Sequence, residues 1–201
     1  MSILDYVQEE AAADPDEMET MRGISSRQLR SSEKLKMLAG LKREALRDLL
    51  TELPKQGESL HIVSNGSFDY WTFVPVILGL MGGADTFYGS TWTMARPNVD
   101  EMFKLMDSGA IKASNIITGL YFKRRESAVY GTLVEGMTAR GQKYKALANH
   151  AKIILLRKGD TFITVEGSAN FTANPRIEQN VVTNSQALYN FHREWIDEVL
   201  S

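Results

Sequence analysis

The residues of this chain best suited to chemistry fall within positions 150–180, HAKIILLRKGDTFITVEGSANFTANPRIEQN. The stretch carries His150-x-Lys152, then Gly167-Ser168-x-Asn170, then an acid, Glu178, ten residues past the serine. Lysine brings positive charge, while a serine hydroxyl and a carboxamide bring donors that suit non-bridging phosphate oxygens. Histidine serves as acid, base or nucleophile near neutral pH. A phosphodiester uses all four groups. No second histidine, cysteine or carboxylate stands beside them at a ligand spacing, so the pattern calls for neither a metal nor a cofactor.

These side chains need elements to gather them. Two apolar runs, 153–156 and 162–165, flank Arg157-Lys158-Gly159-Asp160, the pattern of a hairpin around a Gly/Asp turn. Strand alternation points His150 and Lys152 to one side, with Ala151 opposite. The second run enters Gly167, so Ser168 and Asn170 are expected on a tight turn beside the start of the first strand.

His150-x-Lys152 and Gly167-Ser168-x-Asn170, followed by Phe171, Thr172 and Glu178, resemble the signature of the phospholipase D superfamily, HxKx4D…GSxN, over residues 143–182. One position departs from it: Arg157 stands where the motif has its aspartate, and Asp160 is the nearest acid in the turn. In the family that aspartate is mainly structural, so the departure bears on the hairpin rather than on the reaction. Gly66-Ser67-Phe68-Asp69 faintly echoes the second half of the motif, but no HxK precedes it, and it reads as a turn and helix cap.

The resemblance implies an α/β fold, a phospholipase D-like sandwich with a mixed β-sheet flanked by helices. It also implies metal-independent chemistry by two facing HxK motifs. One histidine attacks phosphorus and becomes a phosphohistidine. The other protonates the leaving oxygen and then activates water. The lysines, serines and asparagines hold the phosphoryl oxygens as charge builds. A carboxylate such as Glu178 is placed to hold a histidine's far nitrogen and fix its tautomer. Since this chain has a single motif, as in the small bacterial endonuclease-type members, the expectation is a symmetric homodimer with one composite site.

Composition narrows the field. With 201 residues and 43% hydrophobic content, the chain suits one domain with an appendage. It has no cysteine, which excludes a disulfide framework and thiol chemistry. The first 20 residues lack the basic start of a secretory signal, and the apolar stretch at 71–81 is too short to span a bilayer. A soluble, cytoplasmic protein without a membrane partner is expected.

The net charge of −2 conceals segregation. Residues 1–20 carry −7, 22–55 carry +5, 56–111 carry −4, 112–158 carry +8 and 159–201 carry −4. The +8 stretch leads into His150, and Lys123, Arg124, Arg125, Lys143 and Lys145 within it are candidate nucleic-acid contacts. A solvated basic face is the plainer reading of such a run.

In chain order, residues 1–57 read as an acidic and helical N-terminal extension and 58–201 as the catalytic domain. A helix is expected within 25–53, packed on a core or a second subunit, or contacting nucleic acid. The extension leaves an unknown protein partner open, and its acidic start is also a candidate cover for the basic cleft. Strands are expected at 60–64, 84–89, 114–121, 143–147 and 180–183. Helices are expected at 68–80, 98–107 with Asn98 as cap, 126–140, and beyond 185 with Leu188, Phe191, Trp195 and Val199 as its core stripe. His61 reads as a core or edge histidine and His192 as structural or exposed. Trp92 reads as buried packing, with cleft lining as the alternative. Alternating strands and helices argue for an α/β domain.

Three functions fit these residues. An endonuclease cutting DNA or RNA is favoured by the single motif, the small size and the basic approach. A non-catalytic nucleic-acid-binding or regulatory protein keeps the pocket without the reaction. A phospholipase or phosphatidyl transferase fits least, because no amphipathic insertion is evident.

Overall fold

The computed structural model describes residues 27–173 and 176–201, with side chains from residue 37 onward. Expectations for the acidic N-terminal tail lie outside the described residues, and those for nucleic-acid contacts from 27–36 outside the described side chains. The chain divides into two compact units, Met1–Ala39 and Gly40–Ser201. Helix α1, Arg27–Arg47, runs across that division. In the larger unit Leu46 and Leu50 are fully buried members of the main core, although both fall in the segment assigned from sequence to the extension.

The larger unit is built on seven strands: β1 (Ser59–Ser64), β2 (Ala84–Thr91), β3 (Ile111–Gly119), β4 (Lys143–Leu147), β5 (Ile153–Lys158), β6 (Thr161–Gly167) and β7 (Glu178–Asn184). Their order in the sheet is β1-β7-β6-β5-β2-β3-β4. β2, β3 and β4 run parallel, and the other neighbours run antiparallel. Helices α2 (Phe73–Met81), α3 (Arg96–Asp107), α4 (Leu120–Arg125) and α5 (Ser127–Ala139) connect the strands, and α6 (Gln186–Leu200) closes the chain. The result is the expected mixed sheet flanked by helices.

Both faces of the sheet are covered. The larger core joins α2, α3 and α5 residues such as Ile77, Met102 and Leu133 to Ile116, Ile154, Leu156 and Val165. The smaller sets Tyr189 and Ile196 of α6 against Tyr88, Ile117, Ile153 and Leu155. A central strand buried on both sides reads as an unbroken apolar run rather than an alternation. That is why Ile153, Ile154, Leu155 and Leu156 stand together, each at 6% exposure or less. Each such side chain contributes about 1.5–3 kcal/mol by leaving water.

The β5–β6 hairpin forms with Arg157 opposite Phe162 and Lys158 opposite Thr161, so an arginine at the aspartate position does not prevent it. Asp160 lies three residues beyond Arg157, at the turn end of the hairpin. It is exposed in the turn, about 25 Å of strand from Lys152 at roughly 3.3 Å per residue. Pro75 is tolerated in α2 because it lies in the first turn, where backbone N–H groups have no helical partner.

Three local expectations shift. α3 begins at Arg96, with Pro97 in its first turn, rather than at Asn98. The Asn98 amide instead donates to the Phe171 carbonyl at 3.0 Å. Lys123, Arg124 and Arg125 belong to the short helix α4, because β3 ends earlier, at Gly119. The fully buried residues of α6 are Tyr189, His192 and Ile196; of the expected stripe, Trp195 and Val199 are partly buried against the same core, whereas Phe191 is 64% exposed. His192 is pinned at both nitrogens, 3.2 Å from Glu166 Oε1 and 3.2 Å from Trp195 Nε1. His61 is an exposed edge-strand histidine on β1. Among the described residues no helix is long and apolar enough to cross a membrane.

Candidate active site

The site sits at the end of the sheet where β5 begins and β6 ends. His150 and Lys152 lie in the loop between β4 and β5. Asn149 fixes that loop: its Oδ1 accepts from Ala151 N at 3.1 Å, and its Nδ2 donates to Ser90 Oγ and Thr91 O, both at 3.1 Å. Ser90 Oγ also donates to the Ala151 carbonyl at 3.0 Å. The histidine is thereby carried on backbone held by the end of β2.

Lys152 is 8% exposed. Its Nζ lies 2.7 Å from His150 Nδ1 and donates to the His150 carbonyl at 2.6 Å. The same Nζ lies 3.3 Å from His150 Nε2. Burial pushes the Lys152 ammonium below the usual lysine pKa, and the negative charge of Glu178 opposes the shift.

Ser168 and Asn170 occupy the turn after β6. Gly167 is required there by close approach: a Cβ would lie 2.5 Å from Tyr70 Cε2 and 2.6 Å from Asn180 Oδ1. Ser168 Oγ donates to Glu178 Oε2, and Ser168 N donates to the Gln179 carbonyl at 3.1 Å, tying the turn to the start of β7. Asn170 Oδ1 accepts from Trp92 N at 3.1 Å and from Thr91 Oγ1 at 3.4 Å. With its oxygen so engaged, the amide presents its Nδ2 as the donor left for a ligand.

Tyr70 supports the floor. Its buried hydroxyl lies 2.6 Å from the Val165 carbonyl and 3.0 Å from the Lys152 carbonyl, which joins the two halves of the motif. The Tyr70 and Phe171 rings stack at 5.6 Å. Desolvation holds the Tyr70 phenol well above its ordinary pKa, so it is a neutral donor.

Beside His150 stands Trp92, with ring centroids 5.6 Å apart. Trp92 stacks on Tyr121 at 4.1 Å and 20°, and the Arg125 guanidinium lies 5.6 Å over the Tyr121 ring. The other basic candidates are more scattered. Lys123 Nζ lies 5.7 Å over Tyr130, and Arg124 is exposed on α4. Lys143 is exposed on the edge strand β4, and Lys145 donates to the Val199 carbonyl of α6 at 2.7 Å. Of the five, Arg125 is the one joined to His150 through ring contacts.

Sequence reasoning missed residues that hold the motif, Tyr70, Ser90, Thr91 and Asn149, while Trp92 takes the cleft-lining place that was its second reading. Asn149 adjoins the histidine but has no distinctive spacing. The others stand in segments whose relation to the motif exists only once the sheet is assembled.

The sequence matches no protein-family model and no curated protein. Solved structures do share its fold. Nuc, a phospholipase D family member from Salmonella typhimurium, superposes with a TM-score of 0.51 at 17% identity, covering 70% of this chain and 93% of Nuc. The fold is phospholipase D-like. The same arrangement aligns with TrmBL2, an archaeal chromatin protein, at a TM-score of 0.51 and 14% identity over 86% of this chain and 64% of that one. It aligns also with polyphosphate kinase from Porphyromonas gingivalis, at 0.51 and 15% identity over 71% of this chain and 26% of that one. At these identities the likeness establishes the phospholipase D-like architecture, and the chemistry has to be argued from the pocket.

Proposed function

We propose that this chain is a metal-independent phosphodiesterase that cuts nucleic acid, an endonuclease working through a phosphohistidine at a homodimer interface. The observation that carries the reading is the pairing of the buried Lys152 ammonium with His150 at 2.7 Å. Glu178 supplies part of the negative charge that a lysine taken out of water calls for, and this lysine adjoins a residue able to attack phosphorus. The Asn170 amide nitrogen adds a donor for a phosphoryl oxygen, and the Ser168 hydroxyl becomes a second when it turns from Glu178 to the substrate. The structural likeness to a phospholipase D family member, and to a chromatin protein whose structure shows a mode of DNA binding, supports the same direction.

The reaction follows from those groups. An imidazole nitrogen of His150 attacks phosphorus, and the bond to the leaving oxygen breaks as an N–P bond forms. The second histidine, supplied by the other copy of the chain, gives its proton to that oxygen. It then takes a proton from water, which attacks the phosphohistidine and releases His150. Lys152, Ser168 and Asn170 stabilise the charge that grows on the non-bridging oxygens.

The test offers single- and double-stranded DNA and RNA in excess chelator to the wild type and to His150→Ala. Chelator-resistant strand scission, abolished in the variant, is expected. Binding without scission would favour a regulatory protein, and release of a lipid headgroup would favour a phospholipase. Sedimentation should show a dimer, and an active monomer contradicts the composite site.

A further inference from the structure

The proposed diesterase site needs His150, Lys152, Ser168, Asn170 and Glu178. It makes no use of the stack beside them. His150, Trp92, Tyr121 and Arg125 follow one another at 5.6, 4.1 and 5.6 Å, leading from the imidazole to the basic helix α4. We infer that Trp92, Tyr121 and Arg125 form a platform for an unpaired nucleobase next to the diester. The substrate is therefore single-stranded nucleic acid, or a duplex opened at the cut. This assignment rests on the phosphodiesterase reading and names the substrate for it.

The platform is rigid where a platform has to be. Trp92 N donates to Asn170 Oδ1 at 3.1 Å, and the Trp92 carbonyl accepts from Gly119 N at 3.2 Å. Both backbone groups of the tryptophan are thus fixed, one by a pocket residue and one by the residue that opens α4. Gly119 itself has no room for a side chain. A Cβ there would run into the Trp92 ring and lie 2.8 Å from its carbonyl oxygen. The indole is therefore pressed against the end of β3, and Tyr121, two residues on, falls flat upon it.

The stack is also open. The core aromatics Trp71 and Phe171 are 2% and 0% exposed, whereas Tyr121 is 38% exposed. A ring that only fills a core is not left this exposed beside a catalytic group. The Arg125 guanidinium stands 5.6 Å from the Tyr121 centroid, a loose cation–π contact. A base inserted between them needs about 7 Å, two stacking steps of roughly 3.4 Å. Arg125 is exposed on the last turn of α4 and can give the difference by a change of rotamer. Every base has a π face, so such a platform reads unpaired nucleotides without regard to sequence, and arginine adds to it. A lipid diester offers nothing to stack.

The experiment compares a single-stranded oligonucleotide with an abasic strand of the same length, which keeps the phosphates and lacks the bases. Both are measured for binding and for chelator-resistant cleavage by the full-length wild type, Tyr121→Ala and Tyr121→Phe. The wild type should prefer the base-bearing strand by roughly 5- to 150-fold in affinity, the span of one stacked base. Tyr121→Ala should lose most of that preference, carried by KM rather than kcat. Tyr121→Phe, which keeps the ring, should retain it. Equal treatment of the two strands by the wild type, with cleavage intact, overturns the platform and leaves the diesterase standing. So does a preference that Tyr121→Ala leaves in place. A base preference without scission supports the platform and removes the diesterase. Failure to bind either strand overturns both.

Discussion

Asn170→Asp separates the two jobs of the turn asparagine. The side-chain oxygen holds Trp92 N at 3.1 Å and Thr91 Oγ1 at 3.4 Å, and a carboxylate of the same shape accepts both bonds equally well. Folding stability should therefore change by no more than about 0.5 kcal/mol. The amide nitrogen has the other job. Its loss removes a hydrogen bond to a charged phosphoryl oxygen, worth about 1.5–3 kcal/mol. It also places a negative oxygen against the anion, at a cost of about 4 kcal/mol for unit charges roughly 4 Å apart near a protein surface. Even the smaller figure predicts at least a tenfold fall in kcat/KM, and the two together exceed a thousandfold. The assay pairs urea unfolding with oligonucleotide cleavage in chelator. Activity within threefold of wild type would refute the donor role. An unfolding loss above about 2 kcal/mol would show that the turn needs the amide for its own structure.

Other consequences follow from the same geometry. Tyr70→Phe removes the hydroxyl shared by the Lys152 and Val165 carbonyls and should cost about 1–3 kcal/mol, read as a lower urea midpoint at unchanged slope. An unchanged midpoint would mean that those carbonyls find other partners. Glu178→Gln deletes the charge that opposes the downward shift at Lys152, so the ammonium should be lost at lower pH than in the wild type. The alkaline limb of the activity profile should then move toward neutrality, and a limb that stays in place or moves up contradicts the coupling.

Much of this protein was legible in one dimension. The apolar runs of β5 and β6 and the turn at Gly159-Asp160 form a hairpin from local pattern alone, because neighbours in sequence pair with each other. The HxK and GSxN spacings placed His150, Lys152, Ser168 and Asn170 at one end of that hairpin for the same reason. The start of α3 was misread because Asn98, a residue type favoured at helix caps, is taken by the Phe171 carbonyl 73 residues away. Phe191 was misplaced on the core stripe of α6 because aromatic residues recur round that helix, and only the sheet beneath it decides which of them is buried.

The chain by itself determined which chemical groups are present and that a short local turn would bring them together. Tertiary structure decided what surrounds them. Tyr70, Thr91 and Trp92 reach the pocket from strands and loops 58–82 positions away, through contacts between β2, β5 and the segment before α2. Sequence spacing encodes neighbours along a strand. It does not encode which distant loop is laid beside that strand when the sheet closes, and here that loop carries the aromatic wall of the site.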